Sequence, residues 1–213
     1  MELTKWAHAC VTLTKGDAMI VIDPGAYTPN ADALIAGAAA VLITHEHADH
    51  VDEAALRTAL ETDAGLLVFG PPSVAERLGS AGGRVTAVAE GDAFDVAGFA
   101  VQVVGDTHAS IHPDIPLIEN VGYLVDEAVL HPGDAFPLPG LPVQTLLVPT
   151  SGPWWRLAEA ADWIREVRPT RAVQIHELLA SELGQQTTAR MLGAKGLTGV
   201  PLTLLASGQT ITV

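Results

Sequence analysis

His45-Glu46-His47-Ala48-Asp49-His50 follows directly on the apolar run Ala38-Ala39-Ala40-Val41-Leu42-Ile43. Three imidazoles and two carboxylates fall within six positions. A buried strand that ends in such a cluster delivers several metal ligands to one spot on the rim of a sheet. Neutral imidazole together with carboxylate suits zinc, iron or manganese rather than calcium.

Around this stretch the composition is that of a folded protein. The chain has 213 residues, enough for one large domain spanning 1–213 and a substantial core. Its hydrophobic fraction of 48% excludes a disordered or acidic-tail protein. The net charge of -14 repels nucleic acid and acidic membrane surfaces, and the 11 Lys and Arg are scattered rather than gathered in a basic patch. Cys10 is the only cysteine, so no intrachain disulfide forms, which fits a reducing cytosol. The N-terminus Met1-Glu2-Leu3-Thr4-Lys5-Trp6 lacks a signal-peptide pattern, and no apolar run reaches the ~20 residues that cross a bilayer. The expectation is a cytoplasmic protein that binds neither membrane nor nucleic acid. Oligomeric state stays open, a homo-oligomer included.

Short apolar runs broken by Gly, Pro and Asp dominate the chain. Residues 3–6, 10–14 and 18–22 read as successive strands, with Lys15-Gly16-Asp17 as a hairpin turn and Asp23-Pro24-Gly25 ending the third. A short helix capped by Asn30 or Asp32 runs to Ile35, and a strand over 41–44 delivers the histidines. Asp52-Glu53 opens the next helix. Further strands are expected at 66–69, 84–88, 94–96, 99–104, 121–125, 128–130, 146–148 and 172–175, with two more at 202–205 and 210–213. Helices are expected at 72–78, 155–167 and 187–192; in the second, Leu157, Ala160, Ala161, Ile164 and Val167 share one face. Strand-rich halves with helices between strands suggest two sheets packed face to face, helices outside.

Three more candidate ligands follow strands: His108 after residues 100–104, Asp134 after Val129-Leu130, and His176 after residues 172–175. Strand ends gathered on one rim can converge on a shared site. His112 lies close enough to His108 to take its place.

With these positions assembled, the sequence resembles the metallo-β-lactamase superfamily over nearly its whole length. The residues that carry the resemblance are Trp6-Ala7-His8-Ala9-Cys10, Val21-Ile22-Asp23-Pro24, the run from Leu42 to His50, His108, Asp134 in Pro132-Gly133-Asp134, and His176. Within the superfamily it looks most like the compact group related to L-ascorbate-6-phosphate lactonase, through its early His-Ala-Cys, its short length and Ile111-His112-Pro113-Asp114-Ile115-Pro116. The fold implied is α+β, a four-layer αββα sandwich with metals at one edge between the sheets. The resemblance implies two divalent cations, Zn2+ foremost, with Mn2+ and Fe2+ suited by the same ligands. One would take His45, His47 and His108, the other Asp49, His50 and His176, and Asp134 would bridge them.

Two departures from the family pattern stand out. Gly133-Asp134 is followed by Ala135 instead of a hydroxyl residue that could position the carboxylate, and Glu177 follows His176.

A water between two cations loses a proton near neutral pH and attacks an electrophilic carbon or phosphorus, with no Ser or Cys nucleophile. The expected activity is that of a metal-dependent hydrolase using this bridging hydroxide on a small-molecule ester, lactone or phosphoester. Asp49 would both ligate and orient the water. His112, on a loop expected to overhang the metals, is singled out as a proton donor to the leaving group. Asp23 and Asp106 are candidates to hold histidine protons, and Trp154 and Trp155 could line a pocket mouth or anchor the following helix. Asn120 and Tyr123 could contact substrate or serve the sandwich interior. Cys10 reads as a small buried apolar residue, and His8 and His131 as hydrogen-bonded loop histidines. Two alternatives remain: a nucleic-acid phosphodiesterase, disfavoured by charge, and a non-catalytic metal-binding module, disfavoured by ligand sets that leave each cation a free position.

Overall fold

A computed structural model describes residues 1–213. The chain begins with three antiparallel strands, β1 (Glu2–Lys5), β2 (Val11–Lys15) and β3 (Ala18–Ile22). Helix α1 (Ala31–Ala36), strand β4 (Ala40–Leu42), helix α2 (Glu53–Thr62), strand β5 (Leu67–Gly70), helix α3 (Pro72–Leu78) and strand β6 (Val85–Ala87) follow. Strands β3 to β6 run parallel, and a helix separates each from the next.

The second half opens with the hairpin β7 (Ala93–Val96) and β8 (Phe99–Val104), then β9 (Gly122–Val125) and β10 (Val129–His131), which turn at Asp126 and Glu127, both with positive φ. Strand β11 (Thr145–Pro149), helix α4 (Leu157–Val167), strand β12 (Arg171–Ile175), helix α5 (Glu182–Leu192) and strands β13 (Leu202–Thr203) and β14 (Gln209–Thr212) complete the chain. The sheets have seven strands each, in the orders β14-β1-β2-β3-β4-β5-β6 and β13-β12-β11-β10-β9-β8-β7. The last strand thus returns to the first sheet, where Glu2 faces Thr212.

The burial pattern makes the layers. Along β4, Ala40 and Leu42 join the core between the sheets, while Val41 packs with Leu34, Leu56 and Val74 under α1 to α3. Along β11, Leu147 faces between the sheets, and Leu146 and Val148 pack on Ala160 and Ile164 of α4. Both faces of these strands are buried, so they read as unbroken apolar runs. The expected α+β sandwich with helices outside is the observed architecture.

Most expected elements fall within two residues of those observed. Helix α5 is longer than the expected 187–192, because Ser181 caps it by accepting a hydrogen bond from the Gly184 N–H. Trp155 lies before α4 rather than in it. No helix is long and apolar enough to cross a membrane.

Strand direction places the functional edge. Strands β1, β3 and β4 point the same way, as do β8, β10, β11 and β12. His8, Asp23, His45, His108, Asp134, Ser151 and His176 all follow the C-terminal ends of these strands. The segment after β3 braces the histidine loop: the Ala26 N–H donates to the Ala48 carbonyl at 2.7 Å and the Asp52 N–H to the Pro24 carbonyl at 3.3 Å. A Cβ on Gly25 would lie 2.1 Å from the Asp49 carbonyl carbon and 2.5 Å from the His50 nitrogen. Gly25→Ala is therefore expected to displace the 48–50 backbone, cost about 1–3 kcal/mol in urea unfolding and reduce bound metal. An unchanged midpoint and metal content would contradict this close packing.

Candidate metal centre

Two groups of four side chains meet at this edge: His45, His47, His108 and Asp134, and beside them His8, Asp49, His50 and His176. Within each group the potential ligand atoms lie within 4.8 Å of one another. All seven residues expected as ligands are brought together, and His8 is added to them.

The first group forms around ring contacts. His45, His47 and His108 have centroids 4.7 to 5.0 Å apart, and His45 Nε2 lies 3.1 Å from His47 Nδ1. Asp134 spans both groups. Its Oδ2 is 3.5 Å from His108 Nε2 and 3.1 Å from His176 Nε2, and its Oδ1 is 3.1 Å from His50 Nε2. Asp49 Oδ2 lies 3.5 Å from His176 Nε2 and 3.9 Å from His50 Nε2.

The outer hydrogen bonds aim these rings. His50 Nδ1 donates to Asp23 Oδ2 at 2.6 Å, His108 Nδ1 to the Ala109 carbonyl at 2.6 Å, and His176 Nδ1 to the Ser151 carbonyl at 2.8 Å. Asp23 also accepts from the Thr44 N–H and hydroxyl, and that hydroxyl accepts from His45 Nδ1 at 3.0 Å. These bonds occupy Nδ1 and leave Nε2 of each ring turned inward, where it can ligate a cation once unprotonated. His50 Nε2, His108 Nε2, His176 Nε2 and Asp134 Oδ1 are buried with no hydrogen-bond partner. Orphaned acceptors of this kind, on a set of imidazoles and carboxylates, fit divalent transition cations.

Charge in the metal-free site follows from the same geometry. Burial opposes charge on His50 and His176, but the Asp134 carboxylate outweighs it, helped at His50 by Asp23. The His50 pKa is held well above its ordinary value, and that of His176 is raised to about 9. Burial drives His45 well below the usual imidazole range. Burial also opposes ionisation of Asp134, yet His50 and His176 hold its carboxyl well below the ordinary range.

The remaining candidates find their places around this centre. Asp23 holds a histidine proton as expected, whereas Asp106 is an exposed turn residue bonded to the Thr107 hydroxyl. Trp154 is buried and donates from Nε1 to Asp134 Oδ2 at 2.9 Å, supplying the donor that Ala135 lacks. Asn120 Oδ1 accepts from the Asp134 N–H and Tyr123 donates to the Ile43 carbonyl, so both position backbone of the site. Glu177 forms an ion pair with the buried Lys5 at 2.8 Å. His131 is satisfied by the Ala9 carbonyl and the Gly133 N–H. His112 joins neither group: its side chain is 61% exposed and lies 3.6 Å from Asp114. Burial pushes the Cys10 thiol up to about 12, which removes it as a nucleophile.

The Beta-lactamase superfamily domain matches residues 2–176. The chain belongs to the β-lactamase superfamily. It is 39% identical over 186 residues to protein Rv0786c of Mycobacterium tuberculosis, covering 85% of this chain and 86% of that one. It is 29% identical to a UPF0173 metal-dependent hydrolase of Myxococcus xanthus over 82% of this chain and 70% of the relative. Among solved structures, Igni18, a metallo hydrolase from the archaeon Ignicoccus hospitalis, superposes with a TM-score of 0.75 at 19% identity, covering 99% of this chain and 97% of that one. That likeness is one of fold.

The Asp134 carboxylate favours protons on His50 and His176 in stripped protein, and a bound cation competes with them. Zn2+ uptake by EDTA-stripped protein at pH 7.5 is expected to release protons, measured by calorimetry in buffers of different ionisation enthalpy. A heat independent of buffer would contradict protonated His50 and His176 in the metal-free site. In the stripped protein the raised His176 pKa stabilises the fold fully below its ordinary 6.5, and that contribution fades as pH rises through about 9. The urea midpoint of stripped protein should accordingly fall over this window.

Proposed function

We propose that the protein is a dinuclear metal-dependent hydrolase of small-molecule carboxylic esters or lactones. The observation that carries the reading is the pair of adjoining ligand groups sharing the buried Asp134 carboxylate. His45, His47 and His108 would hold one cation, Asp49, His50 and His176 the other, with Asp134 between them. Such a pair supplies an acidified water near neutral pH and a Lewis acid for the substrate carbonyl. The chain's own residues do the rest. Asp49 would orient the attacking water through its half-buried carboxylate, and Asp23, Ser151 and Thr44 engage Nδ1 of His50, His176 and His45 so that Nε2 of each ring faces inward.

The surroundings support a neutral substrate over a phosphoester. Exposed apolar side chains lie on segments next to the ligands: Tyr27, whose ring sits 5.2 Å from that of His8, and Leu178 and Leu179 just after His176. The nearby basic groups are engaged, Lys5 with Glu177 at 2.8 Å and Arg77 with Glu46 at 3.0 Å. Neither is left unpaired to receive a phosphate.

The test is turnover of p-nitrophenyl esters, simple lactones and bis-p-nitrophenyl phosphate by metal-loaded protein. Ester or lactone hydrolysis that EDTA abolishes is expected. His47→Ala, at a half-buried position, should lose about a hundredfold or more in rate while keeping its melting temperature within a few degrees. Two bound cations with no turnover of any of these compounds would favour a non-catalytic module, and phosphodiester turnover alone would move the substrate class.

A further inference from the structure

His8 carries the opposite tautomer to the ligand histidines. At His50, His108 and His176 the Nδ1–H donates outward and Nε2 is left without a partner. At His8 the ring is reversed in function: Nδ1 faces the Leu178 N–H at 3.4 Å, so Nδ1 accepts and the ring proton sits on Nε2. That Nε2 lies 3.1 Å from Asp49 Oδ2. A protonated Nε2 cannot ligate a cation, and unlike Nε2 of His50, His108 and His176 it has a hydrogen-bond partner.

We infer that His8 is a positioning residue: it donates from Nε2 to Asp49 Oδ2 and fixes the carboxylate oxygen that faces His50 and His176. The inference rests on the ligand assignment proposed above.

The local build supports it. His8 is fully buried and held in the left-handed region at φ +58, a strained conformation for a side chain with a Cβ. Two backbone bonds keep it there. Its carbonyl accepts from the His176 N–H at 2.9 Å, and its N–H donates to Glu177 Oε1, which is anchored by Lys5. The His8 and His176 rings are 3.8 Å apart. The link from β1 to β2 thus reaches both a carboxylate and an imidazole of the second group. Asp49 is the more exposed carboxylate of the centre, with a side chain 21% accessible against 3% for Asp134. It has no backbone clamp like the one Asn120 gives Asp134, so a single donor has more to decide at this position.

The experiment is Zn2+ titration of EDTA-stripped wild type, His8→Ala and His8→Gln against a competing chelator. In His8→Ala the second equivalent is expected to bind about 10–100-fold more weakly, the first equivalent being unchanged. His8→Gln, whose amide N–H can reach the same oxygen, should recover most of the loss. Unchanged affinity for both equivalents in His8→Ala would overturn the inference. So would loss of one equivalent outright with no rescue by Gln, which would make His8 a ligand. A 15N NMR spectrum of Zn-loaded wild type decides the matter even if the variants fail to fold: a proton on His8 Nε2 is expected, and an unprotonated Nε2 would contradict it. None of these readouts needs a substrate. Protein that binds metal as described but hydrolyses nothing would therefore overturn the proposed function and leave the role of His8 standing.

Discussion

Asp134 is the constraint around which the rest is arranged. One buried carboxylate lies within 4 Å of His45, His50, His108 and His176. Burying so many ionisable groups together is costly unless each is paired or neutralised. In the metal-free chain, Asp134 favours protons on His50 and His176, and these in turn favour its own ionised form. Exchange of those protons for cations links metal content to pH.

Holding that carboxylate in place takes residues from both sheets. Gly133 sits at φ +65 with its missing Cβ space occupied by Asn120 Oδ1, only 2.2 Å from where a Cβ would stand. Asn120 in turn clamps the Asp134 N–H, and Trp154 reaches Oδ2 from the loop before α4. Tyr123 spans the sandwich to the Ile43 carbonyl, tying the second sheet to the strand that delivers the histidines. The separation of these residues in sequence explains the long-range character of the site: no single segment can form it before both sheets have packed.

Much of this was legible in the sequence because it is local. The run from His45 to His50 announces itself by composition, and the apolar strands with Gly and Pro punctuation mark nearly every element. The candidates His108, Asp134 and His176 could be named because each follows a strand end. What stayed hidden depends on distant partners. His8 resembles an ordinary loop histidine until Asp49 and Leu178 are placed around it. By sequence Trp154 could anchor a helix or line a mouth, and its 2.9 Å bond to Asp134 gives it a third role that only coordinates could show. His112 stands in a Pro-flanked loop, but whether a loop side chain joins a ligand group is set by tertiary packing, and this one is left exposed outside both groups. Asn120 and Tyr123 likewise needed coordinates to be assigned to the framework.

The most direct measurement is anomalous X-ray diffraction from crystals of the metal-loaded protein, recorded on both sides of the metal absorption edge. Two peaks are expected, roughly 3.5–4 Å apart, one among His45, His47 and His108 and the other among Asp49, His50 and His176, with Asp134 touching both. A single peak, or peaks placed away from Asp134, would contradict a paired site built on that carboxylate.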